Sequence, residues 1–278
     1  MKTLVIVLIC CAAVAVLYLL MIMPRMIHKA DDTPFRKVLY AHRVLHDNES
    51  QAPENSMAAF KKAVEDGYGI ELDVQLTKDK IPVVFHDYTL KRVCGAEGKV
   101  CDYTFEELQK FRLCSSDEKI PTFEDVLALV DGKVPLIIEY KIELADLSVC
   151  TLADQMLRSY KGLYCIESFN PLALVWYRRN HPQIMRGQLS DAFWTRRELK
   201  GALYLILENL LLNFLAKPDF VAYNHKEAKK LSRRLCHSLY RNTAVAWTIR
   251  SEEDLSAARK NFDMFIFDSF VPKGGSRA

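Results

Sequence analysis

The chain contains 278 residues, of which 50% are hydrophobic and 26% are charged, and it has ten glycines and ten prolines. This composition excludes a disordered, collagen-like or low-complexity protein, and the length is sufficient for one large domain with a sizeable core. The 38 basic and 35 acidic residues leave a net charge of +3, which does not indicate a nucleic-acid-binding protein.

The first element in chain order is an apolar segment over residues 4–23, which contains no charged side chain. A helix of this length is about 30 Å long and matches the hydrocarbon core of a bilayer, whereas the apolar region of a signal peptide usually has about 7–15 residues. We therefore predict a membrane anchor and linker over residues 1–36, with the protein held in the cell membrane by a single uncleaved span. Basic residues flank both ends of the segment, so the side of the membrane on which the remainder lies stays open.

The remainder, residues 37–278, alternates short β-rich apolar runs with amphipathic stretches. The predicted strands are residues 38–41, 69–74, 82–85, 135–139, 163–166, 184–186, 220–223, 244–247 and 264–267. The predicted helices are residues 54–66, 122–130, 146–160, 171–180, 197–215, 225–240 and 251–261. Such alternation is typical of a parallel sheet with right-handed crossovers. About eight repeats in about 240 residues predict an α/β fold in one domain, a closed (β/α)8 or TIM barrel.

Charged side chains stand at the ends of four predicted strands. They are His42 and Arg43, Glu71 and Asp73, His86 and Asp87, and Glu139 and Lys141. Because the carboxyl ends of the strands form the catalytic face of such a barrel, all four groups are expected at one rim. The remaining histidines, including His46, have no comparable partners in the sequence and are assigned no role.

The residue types at this rim indicate phosphoester chemistry. Glu71 and Asp73 are two apart in a strand and point the same way, as do Glu139 and Lys141. Convergent carboxylates repel each other unless a cation lies between them, and oxygen ligands suit Ca²⁺ or Mg²⁺. Two histidines near such an ion are suited to acid and base catalysis, and Arg43 and Lys141 are suited to hold phosphate oxygens. Together these groups predict phosphodiester cleavage.

The motifs resemble those of glycerophosphodiester phosphodiesterases. The matching blocks are Ala41-His42-Arg43, Pro53-Glu54-Asn55-Ser56, Glu71-Leu72-Asp73, Phe85-His86-Asp87 and Ile138-Glu139-Tyr140-Lys141, with weaker matches at Ser168-Phe169-Asn170, Val245-Ala246-Trp247-Thr248 and Phe267-Asp268-Ser269. The resemblance implies a TIM barrel with a small insertion after the second strand, over residues 87–120. It also implies hydrolysis of a small glycerophosphodiester to glycerol 3-phosphate and an alcohol.

The resemblance also implies a role for each site residue. A divalent cation, Ca²⁺ or Mg²⁺, would be held by Glu71, Asp73 and Glu139, and His42 and His86 would be the acid and base. The residues expected to contact phosphate or substrate, or to support that part of the rim, are Arg43, Lys141, Glu54, Phe169 and Trp247. One position departs from the family, which usually has glycine after the His-Arg pair where this chain has Val44. A turn that needs a positive φ would be strained by valine.

Two other functions remain open. A phospholipase D-like enzyme acting on lysophospholipids or sphingolipids would use the same barrel and would explain the anchor. The apolar stretch over residues 199–216 bears on this alternative, since it either dips into a bilayer surface near the pocket or packs on the barrel or a second subunit. The other hypothesis is a catalytically inactive barrel that binds phosphodiesters, for which Val44 is the support.

Two cysteines, Cys94 and Cys101, flank a turn-like stretch in the predicted insertion. A local disulfide in an oxidising compartment and two free thiols in a reducing one are equal alternatives.

Overall fold

The computed structural model describes residues 1–143, 145–195 and 201–278. Within these residues the strands are β1 (Tyr40–Ala41), β2 (Gly69–Leu76), β3 (Pro82–Val84), β4 (Leu136–Tyr140), β5 (Tyr164–Ser168), β6 (Arg186–Ser190), β7 (Phe220–Asn224), β8 (Thr243–Ile249) and β9 (Met264–Phe267). All of them except β3 run parallel and follow one another around a barrel, which closes where Tyr40 of β1 pairs with both Gly69 and Ile266. The predicted TIM barrel is therefore confirmed.

Most of the helices pack around this barrel. The helices within the described residues are α1 (Lys2–Ile22), α2 (Met57–Glu65), α3 (Lys91–Cys94), α4 (Phe105–Leu108), α5 (Phe123–Val130), α6 (Ser148–Leu157), α7 (Pro171–Asn180), α8 (Ala202–Glu208), α9 (Asn213–Ala216), α10 (Leu231–Ser238) and α11 (Glu252–Ala258). Helix α1 extends away from the barrel, and α3 and α4 lie in the predicted insertion. Several begin at a side-chain cap: the Ser56 hydroxyl accepts a hydrogen bond from Ala59 N, and the Asn170 side chain accepts one from Leu172 N. The helix predicted over residues 171–180 therefore begins and ends as expected, helped by proline at its first position.

The helix predicted over residues 197–215 is the clearest error among the helices. Residues 196–200 lie outside the described residues, and the remainder forms two short helices, α8 and α9. Leu210 between them has φ +58°, which an α-helix does not allow. The polar side chains of Glu208 and Asn213 are buried and face the domain, whereas exposed leucines such as Leu203 and Leu205 face outward.

Strand β3 also differs from the sequence-based expectation. It was predicted as another strand of the parallel sheet, but it runs antiparallel to β2, with Val84 opposite Val74. Strand β2 continues beyond the rim of the barrel, and β3 returns antiparallel alongside it. Phe85, the residue after β3, donates a hydrogen bond from its N–H to Asp73 O. His86 therefore reaches the rim from above rather than at the end of a barrel strand.

The predicted insertion over residues 87–120 contains α3 and α4 and has a small apolar cluster of its own, which includes Val93, Val100 and Leu108. Cys94 and Cys101 are both free thiols in this segment.

Helix α1 is the one helix, among the described residues, that is long and apolar enough to cross a membrane, with a mean hydropathy of 3.1. Its C-terminal end, from Tyr18 to Ile22, contacts the barrel domain: Tyr18 packs on the core, Ile22 is buried, Asn213 Nδ2 donates to Ile22 O at 3.2 Å, and the Tyr240 hydroxyl donates to Leu19 O at 2.8 Å. The following residues cross the N-terminal face of the barrel, where Phe35 is buried. The domain boundary at residue 36 stays a prediction.

Candidate active site

The inward faces of the barrel strands change from apolar to polar near the rim. Tyr40, Ile137, Cys165 and Val245 belong to one buried cluster. Because side chains two apart in a strand share a face, that face continues with four polar or aromatic residues. These are His42, Glu139, Glu167 and Trp247, which line one cavity of about 230 Å³. The barrel interior thus becomes the floor of a pocket at the carboxyl ends of the strands.

Three of the predicted residues form a carboxylate cluster in this floor. Asp73 on β2 lies opposite Glu139 on β4, and Glu71 lies two residues before Asp73. One oxygen from each of the three carboxylates lies within 4.8 Å of the others, and all three side chains are buried. Lys141 Nζ lies 2.9 Å from Glu139 Oε1 and 3.4 Å from Asp73 Oδ1.

The charge of this cluster is only partly balanced. Burial raises the pKa of Glu71 well above its ordinary value, and the neighbouring Asp73 and Glu139 raise it further. Burial also raises the pKa of Glu139, against the opposing effect of Lys141. Burial opposes ionisation of Asp73 as well, but His86 and Lys141 hold its pKa below the ordinary value. Asp73 Oδ1 is buried and accepts no hydrogen bond, although the ammonium of Lys141 lies 3.4 Å away, so the oxygen set fits a hard divalent cation.

Two histidines lie beside the carboxylates, with ring centroids 6.5 Å apart. His42 follows β1, and its Nδ1 lies 3.3 Å from Asp268 Oδ2. Burial lowers the pKa of His42 to about 4, more than Asp268 raises it, so the ring is neutral at pH 7. His86 Nδ1 lies 2.6 Å from Asp87 Oδ1. Each imidazole is thus oriented by its own carboxylate, which leaves Nε2 for substrate.

Arg43 is fixed between two carboxylates. Its backbone N–H donates to Glu71 Oε2 at 2.9 Å, and its Nη1 donates to Glu54 Oε1 at 3.2 Å. Glu54 also accepts two hydrogen bonds of 2.7 Å from the guanidinium of Arg92, which in turn contacts Asp87. Glu54 therefore lies behind Arg43, and it connects both sides of the rim through Arg92 of the insertion.

The turn at Val44 has the positive φ that would strain a valine and that glycine adopts readily. Arg43 has φ +51° and Val44 has φ +76°, in the left-handed region that a β-branched residue disfavours. The Val44 side chain is buried in the hydrophobic core, which offsets part of this strain. His42 and Arg43 nevertheless reach the pocket.

Two aromatic residues form the opposite wall. The rings of Phe169 and Trp247 meet edge to face with centroids 5.7 Å apart, and both line the cavity. The structure thus brings nine of the ten predicted site residues to one place and sets the tenth, Glu54, directly behind them.

This geometry can be set beside known proteins. The sequence model of the Glycerophosphoryl diester phosphodiesterase family matches residues 46–269. The chain belongs to this family. The prediction that it is a phosphoric diester hydrolase is thereby confirmed, and so is the resemblance on which it rested.

Several relatives share the sequence or the fold. YhdW of Bacillus subtilis (strain 168) is 32% identical over 213 residues, which are 73% of this chain and 83% of YhdW. A glycerophosphodiester phosphodiesterase of Caldanaerobacter subterraneus is 34% identical over 166 residues, 55% of this chain and 67% of that protein. An Oleispira antarctica phosphodiesterase, solved with the product sn-glycerol-3-phosphate, has a TM-score of 0.66 and 24% identity over 83% of this chain and 92% of that one.

Four further residues of this site have no role assigned from the sequence, although Asp268 stands in one of the weaker matching motifs: Glu167, Asp268, Arg92 and Arg250. Glu167 lines the cavity, and its Oε2 is buried without a hydrogen-bond partner. Asp268 orients His42 and also lies 3.6 Å from His46 Nε2, although His46 was assigned no role. Arg92 supports Glu54, and Arg250 lines the cavity. Of these, Glu167 could have been predicted, because it lies two residues after Cys165, which faces the barrel interior.

Proposed function

We propose that this family member hydrolyses small glycerophosphodiesters to glycerol 3-phosphate and an alcohol, with a divalent cation held by Glu71, Asp73 and Glu139. The observation that carries the proposal is the convergence of these three buried carboxylates beside two carboxylate-oriented histidines. When bound, Ca²⁺ or Mg²⁺ would neutralise charge on the phosphoryl oxygens.

The protein groups divide the remaining work. Arg43 and Lys141 bind the non-bridging phosphate oxygens, and Phe169 and Trp247 contact the glycerol carbons. His42, which is kept neutral by burial, accepts the proton of the attacking oxygen, either of water or of the neighbouring glycerol hydroxyl. His86 donates a proton to the leaving alcohol oxygen as the old P–O bond breaks and the new one forms. Attack by water gives glycerol 3-phosphate directly, whereas attack by the glycerol hydroxyl gives a cyclic phosphodiester, which a water molecule then opens to glycerol 3-phosphate with the two proton transfers reversed.

The position of α1 supports a water-soluble substrate. Arg25 and Lys29, which follow α1, contact residues just before β6, β7 and β8, at the N-terminal face of the barrel. The catalytic pocket lies at the opposite face. We propose that α1 crosses the cell membrane once. An enzyme anchored by that face would turn its pocket away from the bilayer, which favours glycerophosphodiesters over intact lysophospholipids.

The test uses the full chain in a neutral detergent with Ca²⁺ or Mg²⁺ added. We expect glycerol 3-phosphate and choline from glycerophosphocholine, and much slower release of choline from micellar lysophosphatidylcholine. Release of phosphocholine would contradict the assigned cleavage. Faster turnover of the lysolipid would support the phospholipase D-like alternative, and cation binding without turnover of any phosphodiester would support an inactive barrel.

A further inference from the structure

A second cavity, of about 480 Å³ and lined by both apolar and basic side chains, lies at the end of the barrel opposite the catalytic pocket. Its lining includes basic residues from separate segments. Arg25 follows α1, Lys217 follows α9, and Arg178 lies on α7. Arg186 begins β6 and forms part of the same lining. The function described above uses none of these residues.

The positive charge of this cavity exceeds the negative charge beside it. Within the described parts of the chain, Asp219 is the one carboxylate that pairs with these four side chains, at 3.2 Å from Arg25 Nη1 and 3.7 Å from Arg186 Nη1. Arg178 and Lys217 instead donate hydrogen bonds to the carbonyl oxygens of Leu215 and Met23. Neutral carbonyl groups do not balance the positive charges of Arg178 and Lys217. Among the described residues, the four cations therefore share the single carboxylate of Asp219.

Asp219 is close enough to Arg186 Nη1 for an ion pair but too far from it for a hydrogen bond. The Arg186 side chain is 2% exposed, and its Nη1 is buried with no hydrogen-bond partner. Burial lowers the pKa of Arg186 to about 10, and the neighbouring Arg25 and Arg178 act in the same direction against Asp219. Burial and Arg178 also lower the pKa of Lys217. A buried donor among excess cations is the environment that an anionic ligand would stabilise.

The position of the cavity indicates which anion it receives. It begins at the residue after α1, and the neighbouring Met26 and Ile27 side chains are 45% and 74% exposed. Basic groups directly beside a membrane span attract anionic lipids, and exposed apolar side chains there suit the acyl boundary. We propose that this cavity binds the phosphate of an anionic phospholipid headgroup at the membrane surface from which α1 emerges. The proposal rests on the proposed membrane span but not on the proposed reaction.

Free phosphate offers the same chemistry without the acyl chains, so the experiment must separate the two sources. The full chain in a neutral detergent is titrated with dioctanoyl phosphatidylglycerol, dioctanoyl phosphatidylcholine or inorganic phosphate, and affinity and melting temperature are measured. Phosphatidylcholine also carries a phosphodiester, so binding in the catalytic pocket is common to both lipids. We expect phosphatidylglycerol to bind more tightly and to raise the melting temperature more than the other two.

Arg178→Gln and Lys217→Gln should each weaken phosphatidylglycerol binding about fivefold, the effect of one cation at a lipid surface. Arg179→Gln is the matched control, because Arg179 is the next residue of α7, is exposed and does not line the cavity. All three variants should keep wild-type turnover of glycerophosphocholine, which also reports that they are folded. Equal binding by Arg178→Gln, Lys217→Gln and Arg179→Gln would overturn the proposal. Phosphate binding as tight as that of phosphatidylglycerol would overturn the lipid assignment.

Discussion

The two ends of the barrel carry buried charge of opposite sign. At the catalytic rim, burial raises the pKa of the carboxyls of Glu71 and Glu167, which face further carboxylates. At the N-terminal face, burial lowers the pKa of Arg186 and Lys217, which face further cations. In both places the folded chain keeps like charges together at a cost in free energy. The difference in sign indicates a cation as the ligand of one end and an anion as the ligand of the other.

The largest effect is expected at Glu71, in the carboxylate cluster. Replacing Glu71 with Gln removes a proposed cation ligand and should lower kcat/KM about a thousandfold, which corresponds to several kcal/mol of lost transition-state stabilisation. Without added cation, the variant should melt at the same temperature as the parent or higher, because a source of repulsion is gone. Asp117→Asn, at an exposed carboxylate of the insertion, is the control and should change neither quantity. Turnover within tenfold of the parent would contradict the metal site.

The dependence of stability on pH tests the charge repulsion at Glu71 without an activity assay. The folded pKa of Glu71 is raised, so its contribution to the free energy of unfolding is present below the unfolded pKa and is lost as pH rises through the folded value. The cation-free parent should therefore lose stability relative to Glu71→Gln over that rise in pH. Denaturant unfolding at a series of pH values measures the difference.

The histidines test whether the rim has two distinct chemical roles. His42→Ala and His86→Ala should each lower turnover of glycerophosphocholine about 10²- to 10⁴-fold. A 4-nitrophenyl phosphodiester has a leaving group that needs no proton, so His86→Ala should recover much of its loss on that substrate and His42→Ala should not. His237→Ala on α10 is the control. Recovery by His42→Ala instead would reverse the assignment of acid and base.

Much of this rim follows from the sequence, for a physical reason. Parallel strands in a closed barrel must end at one face, so strand-end motifs such as His42-Arg43 and Glu71-Leu72-Asp73 converge whatever the loops do. The missing parts depend on contacts between distant segments. Val84 pairs antiparallel with Val74, yet its run has the same apolar composition as a barrel strand. Arg92 supports Glu54 from 38 residues away, and nothing in the local sequence marks it.

The N-terminal face was less predictable still. Arg25 is one of the basic residues that flank the predicted span, but nothing in the local sequence indicates its contact with Asp219, which lies 194 residues away. Arg186 lies in a predicted strand in which a single arginine gave no signal. A cluster of cations drawn from four separate segments has no sequence pattern, because no strand register brings its members together.

Glu54 lies where opposite charges are matched, because Arg43 and Arg92 both contact its carboxylate. It therefore differs from the clusters of like charge at the two ends of the barrel. Burial opposes its ionisation, but the hydrogen bonds from Arg92 and the charge of Arg43 lower the pKa of Glu54 to about 2. A depressed pKa stabilises the fold above the unfolded value of about 4.5 and ceases to do so as pH falls through about 2. Glu54→Gln should therefore lower the free energy of unfolding by about 3 kcal/mol at neutral pH.

That deficit of Glu54→Gln should shrink steadily in denaturant unfolding as the pH falls from 5 to 2. Glu65→Gln on α2 is the control, since the Glu65 side chain is 63% exposed and its contact with Lys61 is long, at 3.9 Å. A pH-independent deficit in Glu54→Gln would show that packing, rather than charge, holds this residue.

The smallest expected effect concerns Val44, where the rim departs from the usual glycine. Val44→Ala and Val44→Gly both lose buried side-chain area, but only glycine relieves the positive φ. Val44→Gly should therefore be more stable than Val44→Ala by about 0.5–1 kcal/mol, the reverse of the usual order. Urea midpoints measure this difference. Because His42 and Arg43 already reach the pocket, kcat of Val44→Gly should stay close to that of the parent, and a large rise would show that valine distorts the site.

The most direct test of the central claim is the dependence of turnover on a divalent cation. The full chain is treated with EDTA, freed of chelator and assayed for glycerol 3-phosphate release while Ca²⁺ or Mg²⁺ is added back, beside Glu71→Gln under the same conditions. We predict that activity is absent without cation, that it returns along a saturable curve in the parent, and that it does not return in Glu71→Gln. Full activity of the EDTA-treated parent, or equal recovery by Glu71→Gln, would contradict the site described above.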